Sequence, residues 1–281
     1  MVRTGDLDDE VSLREAVSGI DVVLHLAGAT RAKTEAAFFD ANAEGVARLV
    51  RACRGSAAGP TRFVYVSSLA AGGPSLDGRP VRESDPGRPV STYGRSKLAG
   101  EERLREFAGP SPWTIVRPPM VYGPEDQDFL QLFKAARSGF MPCLGTGQER
   151  YSIIHGEDLA RGILAAAASP DAIGRTYYLA EAVDYAQREI FALLGAAVGR
   201  KPRVVRLPRW LGYVAAGCGS ALKPFLKRPP LLTLDKLPEV LAPGWACDVS
   251  AAARDFRFRT SIALPDGAVR TAAWFKERGL L

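Results

Sequence analysis

Ser91-Thr92-Tyr93-Gly94-Arg95-Ser96-Lys97-Leu98-Ala99-Gly100-Glu101, with Arg62-Phe63-Val64-Tyr65-Val66-Ser67-Ser68 before it in the chain, decides how this sequence folds. The earlier stretch is an apolar run closed by two hydroxyls, the pattern of a strand buried on both faces of a parallel sheet. In an open α/β sheet the carboxyl ends of such strands face the ligand crevice. The later stretch starts with two residues able to cap a helix and stays helix-compatible to residue 107. Tyr93 and Lys97 are four apart and share one face of that helix. A free phenol titrates near ~10. A positive charge beside it favours the phenolate and draws that value down, giving a proton donor and acceptor for neutral pH. The pair alone reads equally as a solvated helix face. A hydroxyl at the end of the preceding strand turns it into a candidate site for hydroxyl–carbonyl redox chemistry.

Working outward, 281 residues suit one large domain, or a domain with an appended lobe. The composition, 47% apolar and 24% charged, is that of an ordinary globular protein. The net charge of +6 is mild, and no run of five or more basic residues points to nucleic acid. The charge is uneven, however. Arg200, Lys201, Arg203, Arg206, Arg209, Lys223, Lys227 and Arg228 follow one another with no acid among them. That stretch reads as a solvated surface, or as a contact for an acidic substrate or an anionic membrane surface. The longest apolar run, 211–222, holds three glycines and a serine and is too short to span a bilayer. Cys53, Cys143, Cys218 and Cys247 form no CxxC; no signal peptide is expected, and the cysteines are expected to be free thiols in a reducing cytoplasm. With two histidines, no metal site is expected.

Along the chain, 12–18 reads as a helix stopped by Gly19, and 21–26 as a buried strand. His25 on that strand reads as a packed core residue, and Ala27-Gly28 let the backbone pass close to a ligand. A helix is expected over 35–53, an active-site loop over 69–89, a strand over 113–117 and a short helix over 129–137. Gly145-Thr146-Gly147 reads as a loop. A strand over 151–155 leads into a helix over 156–168, and 176–180 is the last strand of the sheet. Beyond 181–184 the periodicity is helical and broken by prolines.

Five motifs, in order and spacing, resemble the extended short-chain dehydrogenase/reductase family of NAD(P)-dependent epimerases, dehydratases and hydroxysteroid dehydrogenases. They are His25-Leu26-Ala27-Gly28, Val64-Tyr65-Val66-Ser67-Ser68, Tyr93-Gly94-Arg95-Ser96-Lys97, Arg117-Pro118-Pro119-Met120-Val121-Tyr122-Gly123-Pro124 and Ile154-His155-Gly156-Glu157-Asp158-Leu159-Ala160. The resemblance implies a doubly wound parallel Rossmann-type α/β sheet over 1–182 and a smaller, mainly helical substrate lobe over 183–281. Residues 119–150 would contribute to the cleft. It implies NAD or NADP as cofactor, a small-molecule substrate and cytoplasmic location, and leaves a homodimer open. Ser68, Tyr93 and Lys97 would be catalytic, with Lys97 lowering the phenol and holding the nicotinamide ribose. Asp6 and Leu7 would meet the adenine. Leu26, Ala27, Gly28, Asn42 and Ser67, with the carbonyls of Pro118 and Pro119, would complete the cofactor pocket.

Two departures bear on the substrate. Sugar-nucleotide members usually carry asparagine where Met120 stands, and Met120 offers no polar contact to a sugar or diphosphate. They tend to carry a diphosphate-gripping arginine where Tyr151 stands. Arg150 is one place earlier, and a shift by one along a strand points a side chain to the opposite face. Both departures resemble the hydroxysteroid-dehydrogenase-like branch, and an apolar substrate is expected. The alternatives are a nucleotide-sugar epimerase or dehydratase, and a non-catalytic scaffold or cofactor-sensing protein on the same fold. Relative to the family, the sequence resembles a member lacking the first strand–helix–strand unit and its glycine-rich phosphate turn, with Met1-Val2-Arg3 as the third strand. On that reading the chain binds NAD(P) weakly, and the strand over 22–26 becomes an unguarded edge prone to pairing.

Overall fold

The computed structural model of the chain describes residues 4–56, 59–109, 111–223, 225, 226, 230 and 232–281. The strand expected at residues 1–3 lies outside the described residues. The first element is α1 (Glu10–Val17), started by Asp9, whose carboxylate accepts from the Val11 N–H. After it comes β1 (Val22–His25). The helix expected over 35–53 is one rod in three parts: α2 (Glu35–Phe39), a π turn (Asp40–Glu44) and α3 (Gly45–Gly55). Then β2 (Arg62–Val66), the single turn α4 (Leu69–Gly72), α5 (Thr92–Ala108) and β3 (Trp113–Arg117) follow.

The crossing segment holds β4 (Met120–Tyr122), α6 (Gln127–Ser138), β5 (Phe140–Cys143), β6 (Arg150–Tyr151) and β7 (Ile153–His155). The chain returns to the sheet through α7 (Gly156–Ala168) and β8 (Arg175–Tyr178). It continues with β9 (Tyr185–Ala186), α8 (Gln187–Ala197), β10 (Arg203–Arg206) and α9 (Arg209–Leu222). The last elements are α10 (Leu237–Val240), β11 (Gly244–Trp245), α11 (Ser250–Phe256) and α12 (Leu264–Glu277).

The main sheet is parallel, in the order β1-β2-β3-β8, with Val64 opposite Leu24 and Thr114. Successive side chains of β2 point to opposite faces. Phe63 and Tyr65 pack with Leu49, Val50, Leu104 and Ile115 under α3 and α5. Val64 packs with Val116, Ile163 and Tyr177 under α7. Both faces are dry, which is why β2 reads as a continuous apolar run. β1 differs from the buried strand expected. Val22 and Leu24 are 39% and 36% exposed, because among the described residues no strand pairs with the outer edge of β1.

The strand expected over 151–155 is two strands in different sheets. Ser152 makes the crossing: its N–H donates to the Trp245 carbonyl at 2.9 Å, and its hydroxyl accepts from the Cys247 N–H at 2.9 Å. A further apolar core joins Phe133 and Ile153 from the crossing segment to Leu194, Ala268 and Phe275 from α8 and α12.

Candidate active site

Helix α5 carries the tyrosine and lysine, and its start is tied down from two directions. The Ser91 hydroxyl accepts from the Gly94 N–H at 3.1 Å. Asp235, 143 residues later, accepts from the Thr92 N–H at 2.9 Å and from its hydroxyl at 2.7 Å. A carboxylate and a hydroxyl on the first free amides suit a helix N-terminus. Close approach along α5 depends on two glycines. A Cβ at Gly94 would fall 2.5 Å from the Ala70 carbonyl oxygen, and one at Gly100 would fall 2.1 Å from that of Asn42. Their absence lets α5 lie against α4 and against the π turn.

Ser68 caps α4, its Oγ accepting from the Ala70 N–H at 3.1 Å, and it lines the same pocket as Tyr93. The fold brings the expected serine and tyrosine to one pocket wall. Lys97, 4% exposed, sends its Nζ to the Val66 carbonyl at 2.8 Å and over the Tyr65 ring at 4.6 Å. Burial lowers the Lys97 ammonium to about 8, against the opposing charge of Glu101.

One expectation is corrected here. Tyr93 is held above, not below, the ordinary phenol value. Burial is the largest cause, the Ser68 hydroxyl opposes it, and the charge of Glu239 adds to it. Lys97, engaged with Val66 and Tyr65, is not among those causes. The cation over the Tyr93 ring is instead Lys236, at 5.3 Å, itself ion-paired with Glu239. Glu239 also accepts from the Ser91 hydroxyl. Asp235, Lys236 and Glu239 were missed by sequence reasoning. They lie in a proline-broken stretch with no periodicity, and nothing local says that it folds back onto α5.

Asn42 sits on the π turn, 1% exposed. Its Oδ1 accepts from the Ala29 N–H at 2.8 Å, and its Nδ2 donates to the Ala29 carbonyl and the Ser96 hydroxyl, each at 2.9 Å. A π turn is a frequent device for re-aiming one residue at a site, and here it locks the loop after β1. A Cβ at Gly28 would fall 2.6 Å from Asn42 Oδ1 and 3.5 Å from Lys97 Nζ. Leu26, Ala27 and Gly28 are exposed, so the end of β1 is an open ledge of backbone beside the lysine.

Other expected cofactor residues are placed differently. Ser67, 3% exposed, donates to Glu101 at 2.6 Å, so the side chain expected on the cofactor side is turned into the core. There Arg117 grips Glu101 through two 2.7 Å hydrogen bonds. The Pro118 carbonyl accepts from the Leu69 N–H at 2.9 Å, and Pro119 lines the pocket described below. Asp6 folds back on the Asp8 N–H, while the Leu7 carbonyl accepts from Arg48 on α3 at 2.7 Å.

A pocket of about 570 Å³ opens beside the tyrosine, with Ser68 and Tyr93 in its wall. Met120, Phe129, Tyr151, Ile190, Phe191 and Trp245 supply much of the remaining surface. Arg150 faces away from it, exposed and ion-paired with Asp184 at 2.8 Å. The alternation argument about residues 150 and 151 therefore holds. Arg31 and Asp128, an ion pair, stand in the pocket wall with Lys223 and Lys236.

The profile of the NAD dependent epimerase/dehydratase family matches residues 1–180, and the chain belongs to that family. Over 286 residues it is 34% identical to a ceramide reductase of Caulobacter vibrioides, covering 100% of this chain and 82% of that one. Over 226 residues it is 31% identical to 4-hydroxy-2-methyl-3-oxo-4-farnesyl-3,4-dihydroquinoline-1-oxide ketoreductase of Stigmatella aurantiaca, covering 78% and 66%. Among solved structures it superposes on UDP-glucuronic acid 4-epimerase from Bacillus cereus in complex with UDP-glucuronic acid and NAD. The TM-score is 0.77 at 21% identity, over 98% of this chain and 81% of that one, a likeness of fold. The residues present fit the nicotinamide-ribose end of such a cofactor. The ledge at Gly28, with no Cβ and with the Lys97 ammonium against it, offers backbone and charge together.

Proposed function

We propose that this protein is an NAD(P)-dependent reductase of a carbonyl group on an apolar, lipid-like molecule. The observation that carries the reading is the pocket. The Ser68 and Tyr93 hydroxyls open into a cavity walled largely by aliphatic and aromatic side chains, with Met120 and Tyr151 where a diphosphate clamp would need polar groups. Orientation by a few polar groups inside an apolar cleft is the usual design for such ligands. The names of the ceramide reductase and the farnesylated-quinoline ketoreductase point the same way.

The cofactor of the family supplies the hydride. Ser68, fixed by the Ala70 N–H, donates to the substrate oxygen and stabilises charge growing there. Tyr93, raised by burial, is protonated at neutral pH, the state that gives a proton to a carbonyl oxygen during reduction. Lys97 would hold the ribose at the Gly28 ledge.

The test is turnover of NADH or NADPH with long-chain ketones and 3-keto lipids, set against binding of UDP- and dTDP-sugars. Saturable oxidation of the reduced cofactor by the lipid ketones, absent with the sugars, is expected. Tyr93→Phe should lower kcat by about 100-fold or more, with cofactor binding largely kept. Micromolar binding of a nucleotide sugar would replace this reading with the epimerase or dehydratase one. Wild-type turnover in Tyr93→Phe would remove the tyrosine from the chemistry.

A further inference from the structure

Helix α9 is built inside out for a water-facing helix. Between Arg209 and Lys223 it carries no charged residue. Its small residues Gly212, Ala216 and Gly219 are buried against the protein, and a Cβ at Gly212 would already fall 3.0 Å from Leu144. The large ones face out: Trp210 is 62% exposed, Tyr213 56%, Val214 55% and Leu222 54%. Positions 210, 213, 214, 217, 218 and 221 recur at helical spacing and form one stripe of Trp, Tyr, Val, Gly, Cys and Ala. A surface helix ordinarily shows the reverse, an apolar face inward and charge outward. Phe225, just past the helix, is 84% exposed.

A second observation says what covers this face. Arg200, Lys201, Arg203, Arg206, Arg209 and Lys223 flank the stripe in sequence. Among the described residues none of the six makes an ion pair or a side-chain hydrogen bond. β10 presents Arg203 and Arg206 beside Val204 and Val205, all four exposed. An aromatic and aliphatic surface with cations just before and just after it in the chain, none of them ion-paired among the described residues, matches the acyl boundary and headgroups of an anionic bilayer. A two-fold contact between copies would set the same cations against each other. A third observation is continuity: Lys223 and Pro230, after the helix, line the pocket that contains Tyr93.

We propose that α9 is a membrane-docking element that seats this protein on an anionic lipid surface with the mouth of its pocket at the bilayer. The stripe enters the headgroup region side-on, and the cations hold it there. A substrate dissolved in the bilayer then reaches Ser68 and Tyr93 without crossing water. The docking goes beyond the reaction proposed above and does not depend on which substrate is reduced.

The experiment is flotation with vesicles of phosphatidylcholine, with and without phosphatidylglycerol, in the absence of substrate and cofactor. Wild-type protein should float with the phosphatidylglycerol vesicles, less with phosphatidylcholine alone, and less as salt is raised. Trp210→Ser with Tyr213→Ser, and separately Arg203→Glu with Arg206→Glu, should each lower partition by about tenfold or more. The arginine variant should also lose the preference for anionic lipid. All four positions are exposed, so circular dichroism should be unchanged. Wild-type protein that stays in the soluble fraction with anionic vesicles would overturn the proposal, as would variants that float like wild type. A dimer in light scattering that Trp210→Ser dissociates, with no flotation, would give the stripe to a second copy instead. Failure of the reductase reading would appear only in the Tyr93→Phe assay, so the two are separable.

Discussion

His25 and Lys97 are two buried bases whose affinity for a proton the fold lowers. His25 is 3% exposed, stacked on Tyr65 at 5.6 Å, and burial plus the Lys97 charge lower it from 6.5 to about 4. The unfolded chain therefore binds a proton that the native protein refuses between those values. Stability present above pH 6.5 is lost as pH falls toward 4, by about 3 kcal/mol. Urea midpoints across that window should fall less steeply in His25→Gln than in wild type. Lys97, lowered from 10.5 to about 8, acts in the same direction at the other end. Between pH 8 and 10.5 wild type should gain about 3 kcal/mol relative to Lys97→Met. Parallel stability curves for variant and wild type would remove either residue from the account. The sequence already gave His25 a packing role. It could not give the direction of Tyr93, because the burial of its phenol and the approach of Glu239 are set by segments far apart in the chain.

At the scale of elements, α5 is tied to β2 and β3 by one buried ion pair. Glu101, fully buried, accepts two hydrogen bonds from Arg117 and one from Ser67, while Arg117 also donates to the Tyr178 hydroxyl at 3.0 Å. The helix bearing Tyr93 and the end of β2 that leads into Ser68 are thus held to one reference point. Arg117→Met takes two hydrogen bonds from a buried carboxylate, leaving it only Ser67 and the half-exposed Arg105, and should cost up to about 3–5 kcal/mol in urea unfolding. Adding Glu101→Gln should return part of that loss. An Arg117→Met variant as stable as wild type would show that packing alone fixes α5. The strands and helices were largely legible, since β3 and α7 fall where their apolar pattern puts them. The π turn was not, because a single extra residue in a helix leaves the amphipathic period nearly intact. Nor was the break at Ser152, where Tyr151 and Ile153-Ile154-His155, joined by the serine, read as one strand until their partners are known.

Taken whole, the molecule opens an apolar pocket beside Ser68 and Tyr93 and turns the aromatic side of α9 outward. Described residues contain no helix long and apolar enough to cross a membrane, and α9 is proposed to lie on one. Sequence by itself determined the parallel α/β sheet, the approach of Ser68 and Tyr93 to one pocket and the choice of Tyr151 over Arg150 for its wall. Each is written in local order: apolar runs, helical spacing and the alternation of a strand. Tertiary structure alone decided that Ser67 faces Glu101, that Lys97 faces Val66, that Asp235 caps α5 and that α9 shows its aromatic side to solvent. Those depend on which surfaces meet. Desolvation and hydrogen-bond partners come from chain segments far apart in sequence, whose approach no local pattern encodes.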